Sequence, residues 1–411
     1  MRRGAVRRGL SAALTGVLLA LACGCGPDEG ASSERRERAA LQRVLDGQSA
    51  AVRSGRESGY AAAVDPRAGA YRAAQRRVFG NLRRLPLTQW TYRVTNVRHV
   101  RHGGKERTEA EVRLRYRLRG DDRVPVTATE RLAFARHGGR WYVAAELPGS
   151  DRQLWEQGRV TVVRGERSLV LGVGRERAGL RSLARDADDA VSAVDGVWSR
   201  DWPRRVVLEV PASLRRMAEL LDSPASSYQG IAAVTTGEAG ESTAAPADRI
   251  VVNPEAYGLL SEEGRQVVVT HETVHVASRT HTGPATPLWL SEGLADWVGY
   301  RGTGRTPKGA APELDRAVKQ GEVPRELPSE RAFRFGSDPE ALGRAYESGW
   351  LACRYVAGTW GEEKLLSLYL RVGDADKKGR AALDGALRGE LGLTPGEFTE
   401  RWRAYVRREL S

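Results

Sequence analysis

The chain has 411 residues, 41% of them apolar and 28% charged. That excludes a mostly disordered polypeptide and leaves room for two or three domains of about 150 residues each. Its formal net charge is +13, and only six of its 65 basic residues are lysine. The arginines are spread along the chain, and no zinc-knuckle, RRM or helix-turn-helix signature accompanies them. The excess therefore argues for attraction to an anionic membrane surface or cell wall and against nucleic-acid binding. Three cysteines are too few for a disulfide framework.

Arg2, Arg3, Arg7 and Arg8 form a basic n-region, and Leu10 to Ala22 an apolar h-region too short to span a bilayer. This is the order of an export signal, over residues 1–25. The run Leu19-Ala20-Leu21-Ala22-Cys23-Gly24-Cys25 resembles the bacterial lipobox, in which small residues precede a cysteine that receives diacylglycerol. Cys23 and Cys25 both follow a small residue, and Leu21 and Ala22 favour Cys23. The resemblance implies an exported protein, anchored by lipid to the extracytoplasmic face of the cell membrane; an ordinary cleaved signal peptide is the alternative. Residues 26–33, rich in Gly, Pro and Ser, read as a tether.

Residues 34–86 are predicted helical. Leu41, Val44 and Leu45 share one apolar face, and Tyr71, Ala74, Val78, Phe79 and Leu82 another, with Asp65-Pro66 breaking the pattern between them. The period then changes to two. Val112, Leu114, Tyr116 and Leu118 alternate with Arg113, Arg115, Arg117 and Arg119, and Gly103-Gly104, Asp121-Asp122 and Gly138-Gly139 punctuate the strands as hairpin turns. The arginine row reads as the solvated face of an antiparallel sheet. With the His-Gly-Gly-Arg-Trp-Tyr-Val run ending at Val143, residues 34–150 resemble an NTF2-like or cystatin-like α+β domain.

Residues 150–166 read as a connector. Strands are expected at Ser168–Val173, Arg205–Val210, Ile231–Thr236 and Ile250–Asn253, and helices at Arg175–Trp198 and Ser213–Leu221. From Ser261 onward the chain reads as almost wholly helical. Cys353 falls in an apolar helical pattern as a small core residue.

The informative segment is His271-Glu272-Thr273-Val274-His275. On a helix, residues four apart stand one turn above each other, so both imidazoles can reach one ion while Glu272 approaches a water on it. With six histidines, a chance match somewhere in the chain is on the order of 1 in 100. Ser261 is the expected N-cap of that helix, with Glu262 and Glu263 suiting its positive end. Downstream, Pro287-Leu288-Trp289-Leu290-Ser291-Glu292-Gly293-Leu294-Ala295-Asp296-Trp297 opens a second helix, with Thr286 as expected N-cap and Pro287 as first helical residue.

This pair of motifs resembles the gluzincins, the clan of thermolysin and the aminopeptidase-N-like enzymes, and within it the peptidase-MA-like domains of bacterial lipoproteins. The resemblance covers residues 165–411. It implies an α+β protein whose N-terminal helix-plus-sheet domain precedes a thermolysin-like zincin domain with a small sheet and a helical C-terminal half. It implies one Zn2+ per chain held by His271, His275 and Glu292, with Glu272 as general base in peptide hydrolysis. It implies that Asp296 orients His271, and that a downstream residue, for which Tyr346 is the candidate, stabilises the oxyanion. Sixteen residues separate His275 from Glu292, slightly fewer than in the aminopeptidase-N-like enzymes.

No aminopeptidase-type Gly-x-Met-x-Asn motif is present, which favours an endopeptidase acting on peptide or protein substrates. In this clan the substrate backbone pairs with an edge strand beside the zinc helix, and Ile250–Asn253 is the expected contributor to that sheet. The competing reading is a non-catalytic zinc-containing lipoprotein that binds a cell-wall ligand or a partner protein. Glu272 argues against it, because a purely structural zinc site has no use for that carboxylate.

Overall fold

The computed structural model describes residues 29–102, 105–236, 247–334, 338–375 and 380–411. Cys23, Cys25 and the export signal lie outside the described residues. Helix α1 (Glu29–Ser54) already includes the stretch read as the end of the tether. It is followed by α2 (Glu57–Ala62) and α3 (Gly69–Leu82).

Strands β1 (Leu87–His102), β2 (Lys105–Leu118), β3 (Val126–His137) and β4 (Arg140–Glu146) form an antiparallel sheet in the order β1-β2-β3-β4. The alternation in β2 has its expected result. Val112, Leu114, Tyr116 and Leu118 are buried and the intervening arginines exposed. Leu41 and Leu45 of α1 are fully buried in the same cluster, with Trp90 and Leu114. Where the β1–β2 register shifts between Val94 and Asn96, the Gln42 amide of α1 donates to Tyr92 O and accepts from Val94 N.

The 150–166 segment is more than a connector. Leu154 and Trp155 are buried in the N-terminal core, and β5 (Val160–Arg164) opens a second sheet. That sheet continues with β6 (Ser168–Val173), helix α4 (Arg177–Asp195), β7 (Val206–Val210), α5 (Leu214–Leu220), β8 (Ala233–Thr235) and β9 (Ile250–Val252). Its strand order is β5-β6-β7-β9-β8, with β6, β7 and β9 parallel and the outer two strands antiparallel to their neighbours.

Every residue of β6 is buried, because both faces of the sheet are covered. Leu169, Leu171 and Val173, with Val207 of β7, pack into the core of the N-terminal domain, while Val170 and Leu208 pack toward α4. The second sheet therefore gives one face to the core of the N-terminal domain and the other to the core of the helical half.

Polar contacts fix the same junction. Asn81 donates to Trp155 O (2.8 Å) and Gly158 O (2.6 Å) and accepts from Val160 N (3.0 Å). The β2–β3 turn inserts two buried carboxylates into the second domain. Asp121 meets Arg164 and Arg205, and Asp122 makes a bidentate pair with Arg249 at 2.8 and 3.0 Å.

The remainder is helical: α6 (Pro254–Leu259), α7 (Glu262–Ser278), α8 (Leu288–Gly299), α9 (Pro307–Ala310), α10 (Pro312–Lys319), α11 (Pro339–Trp360), α12 (Glu362–Gly373), α13 (Arg380–Ala386) and α14 (Pro395–Leu410). Ser261 caps α7 by accepting from Gly264 N, and a Thr394–Glu397 capping box opens α14. Helix α8 differs from expectation at its start. Pro287 is the N-cap and Leu288 the first helical residue, because the Thr286 hydroxyl is engaged one turn earlier, accepting from Gly283 N.

Candidate metal centre

Helix α7 runs between α4, the edge strand β8 and helix α8, and this burial sets the character of its metal-facing side. Val267, Val269, Val274 and Ala277 fill the core, while Glu272 and His275 are the polar groups drawn in with them. His271 and His275 lie one turn apart with their rings 4.8 Å apart and nearly perpendicular. Helix α8 crosses opposite and contributes Glu292, which is buried, and Asp296 one turn later.

Glycine lets α8 pack tightly against α11. A Cβ added at Gly293 would lie inside contact distance of the Gly349 carbonyl oxygen on α11, and one added at Gly349 would lie 2.7 Å from Trp289 O. The two backbones touch there, and Glu292 is the residue immediately before the contact.

Three atoms converge. His271 Nε2 is 3.1 Å from His275 Nε2 and 3.2 Å from Glu292 Oε2, and His275 Nε2 is 3.4 Å from that same oxygen. Four-coordinate zinc, with bonds of about 2.0–2.1 Å, requires ligand atoms about 3.3 Å apart. A proton can bridge one pair of these atoms at a time; a single cation between them satisfies all three. Among the described residues, no other group of three His, Cys, Asp or Glu side chains brings donor atoms within such reach.

Asp296 Oδ1 lies 2.7 Å from His271 Nδ1. An Nδ1–H donated to that carboxylate leaves the Nε2 lone pair pointing at the other two ligand atoms, which is how a neighbouring carboxylate fixes the tautomer of a metal-binding histidine.

The electrostatics agree. Burial opposes charge on His271, yet Asp296 and Glu292 hold its pKa well above the ordinary histidine value. Burial likewise opposes charge on His275, and Glu292 outweighs it upward. Burial would raise Glu292, but the two imidazoles hold it far below the usual carboxylate range. The pocket is built to hold positive charge.

Glu272 is 5% exposed and borders a cleft of about 1100 Å³, together with His271, Val268, Tyr346 and Glu347. Tyr346 lies in the body of α11, in its second turn and not at its start. Its ring centroid is 6.2 Å from that of His271, and Phe333 packs edge-on against it. The structure thus brings His271, Glu272, Asp296 and Tyr346 to one cleft, with His275 and Glu292 buried beside His271, while Cys23 is outside the described residues.

Two features were not foreseen. The strand beside α7 is β8, while Ile250–Val252 lies inside the sheet between β7 and β8. From β8, Thr235 reaches α7. Its buried hydroxyl donates to Glu272 Oε2 at 2.7 Å and also lies 3.1 Å from Glu272 O.

No protein-family profile matches the chain, and no curated protein sequence matches it. Among solved structures, the chain is similar to an M1 zinc metallopeptidase from Deinococcus radiodurans. The crystal structure of a point mutant gives a TM-score of 0.34 at 16% identity, over 78% of this chain and 62% of that one. The structure without that mutation gives 0.32 at 16% identity, over 78% and 61%. A two-domain M1 zinc metallopeptidase mutant bound to L-arginine gives 0.34 at 13% identity, over 78% and 83%. The chain spans about three-fifths of the length of the Deinococcus enzyme, and the likeness is distant in backbone and in sequence.

Proposed function

We propose that this chain is a zinc-dependent endopeptidase. The observation that carries the reading is the triangle of His271 Nε2, His275 Nε2 and Glu292 Oε2, 3.1–3.4 Å on a side, with the Glu272 carboxylate beside it at the wall of an open cleft. His271, His275 and Glu292 would hold one zinc ion. Bound there, zinc supplies a Lewis acid that polarises a carbonyl and lowers the pKa of water toward about 7.

The chain's own groups do the rest. Thr235 occupies Glu272 Oε2 and leaves Oε1 to accept a proton from the attacking water as its oxygen bonds to the scissile carbonyl carbon. Glu272 then passes that proton to the amide nitrogen as the C–N bond breaks. Asp296 keeps His271 in the tautomer that presents Nε2. Tyr346, on the cleft wall beside His271, would donate to the developing oxyanion.

The endopeptidase assignment is supported by the edge-strand segment Ala232–Ala233 lining the cleft and by the missing aminopeptidase motif. The order of the first 25 residues supports export and a lipid on Cys23, with the body outside the cytoplasmic membrane. Among the described residues, no helix is long and apolar enough to cross a bilayer. Mass spectrometry of the mature N-terminal peptide tests the anchor.

The deciding experiment digests an unfolded protein with the zinc-loaded wild type and with Glu272→Gln. The variant should retain zinc and lose hydrolysis by about 10²- to 10⁴-fold. Equal rates in the two would end the peptidase reading and favour a non-catalytic zinc protein.

A further inference from the structure

Strand β8 borders two cavities. One is the cleft already described, which Ala232 and Ala233 line together with His271 and Glu272. The other, of about 1030 Å³, is lined by Val234, Thr235 and Thr236. Thr235 joins them: it borders the second cavity while its hydroxyl touches Glu272. Both spaces therefore border this one edge strand, and Thr235 is the residue of it that touches Glu272.

The far wall of the second cavity comes from the N-terminal domain. Gly149, Ser150, Asp151 and Arg152, in the segment after β4, face the α5 side, where Arg215 and Ala225 stand. That wall is rigid. Asp151 N donates to Thr129 O (2.8 Å), and Thr129 N donates back to Asp151 Oδ2 (2.6 Å). Arg131 N donates to Ser150 Oγ (2.9 Å). A few residues on, Gln157 donates to Arg216 O (2.8 Å), tying this segment to α5. The shared sheet and the Asp122–Arg249 pair hold the two walls at a constant spacing.

The chemistry of the space narrows its occupant. Its rim carries both signs, Asp151 and Asp222 beside Arg152 and Arg215, over an apolar floor that includes Leu220 and Val234. A polyanion or a metal ion would find no uniform field there. An extended polypeptide finds apolar contact, mixed charge and the outer edge of β8, the last strand of its sheet.

We infer that the N-terminal domain forms one wall of the substrate groove: Gly149–Arg152 contact a polypeptide substrate on the flank that leaves the metal centre past Thr236. This rests on the peptidase reading above. A chain running past Thr236 advances about 3.3 Å per extended residue, so the contact falls beyond the residues bound at the metal centre itself. The substrate class is accordingly an unfolded or extended protein segment, since a dipeptide or an amino-acid amide would leave this half of the groove empty.

Photo-crosslinking tests the inference. A segment of unfolded casein that the wild type cleaves is made with benzoylphenylalanine at successive positions and bound to full-length, zinc-loaded Glu272→Gln. Probes next to the scissile bond should label the cleft around Ala232, Ala233 and Tyr346. Probes farther away on one flank should label Gly149–Arg152, and those on the other flank should label nothing in the N-terminal domain. Labelling of the cleft with none of 149–152 at any position overturns the inference and leaves the peptidase reading standing. No cleavage by the wild type, or no labelling near the metal centre, removes the peptidase reading and this inference with it.

A kinetic arm is independent of crosslinking. Trimming the segment on that flank should lower kcat/KM by about tenfold or more in the wild type, since remote contacts contribute to the rate. In Ala225→Trp, which fills the cavity, the gap between long and trimmed segments should nearly close. An undiminished gap in that variant also overturns the inference.

Discussion

Thr235→Val isolates the contact between the edge strand and the general base. Valine has nearly the shape of threonine, so no cavity opens, and what is lost is one hydroxyl. That hydroxyl sits 2.7 Å from a carboxylate oxygen, with Thr235 only 2% and Glu272 5% exposed. Hydrogen bonds to charged groups contribute about 1.5–3 kcal/mol, and about 1.4 kcal/mol is a factor of ten in rate. If the bond serves to orient Glu272, kcat should fall by about 10- to 100-fold while KM changes little. Zinc content should stay at one per chain, because Glu272 is not in the ligand triangle. Thr235→Ser keeps the hydroxyl and should restore most of the rate. The assay is steady-state cleavage of a quenched fluorescent peptide, with elemental analysis on the same samples. A Val variant within twofold of wild type, or a Ser variant as slow as the Val variant, would refute the positioning role.

Other perturbations separate the remaining parts. Asp296→Asn should weaken zinc affinity by about 10- to 100-fold, measured by competition with a chromophoric chelator, since only the 2.7 Å support of His271 is loosened. Gly293→Ala should lose zinc and stability together, because its Cβ collides with the Gly349 carbonyl beside Glu292. Gly396→Ala, with open space around it, should leave the zinc unchanged in the same assay. Asp122→Ala should cost about 3 kcal/mol in urea unfolding, since it removes the bidentate partner of the buried Arg249 and leaves it Glu209 at 3.8 Å. Burial pushes Glu347 up to about 7 even though Leu314 N and Glu313 N pull it down. The fold therefore favours its protonated form: the contribution is full below the ordinary carboxyl range and is lost as pH rises toward about 7. Relative to Glu347→Gln, the wild type should lose at most about 3 kcal/mol across that window, followed by urea unfolding at stepped pH.

The parts of the site that lie on one helix were legible because helical spacing alone determines which side chains share a face. His271 and His275, and again Glu292 and Asp296, are four apart, and the Ser261 cap locates the start of α7. Strand β2 was legible for the same reason at period two. Thr235 was not, because it stands on a strand of three residues and meets Glu272 only through tertiary packing. Nor was β5, whose pairing with β6 and burial against the N-terminal core are non-local. The Thr286–Pro287 boundary misled because a hydroxyl before a proline has two possible partners, and here it closes the preceding turn.

The shared sheet also bears on how the chain is made. Ribosomes release it from the N-terminus, so the β1–β4 sheet is complete by residue 146, while parts of its hydrophobic cover, Trp155, Leu169, Leu171 and Val207, are still to come. Asp121 and Asp122 wait longer, for Arg164, Arg205 and finally Arg249. Until roughly three-fifths of the chain exists, the first domain must present an apolar face and two carboxylates without their full counter-charges, a state prone to sticking to its neighbours. A shortened chain ending after residue 150 would be held in that state permanently. It should be found in aggregates or bound to chaperones, not as a free-standing module.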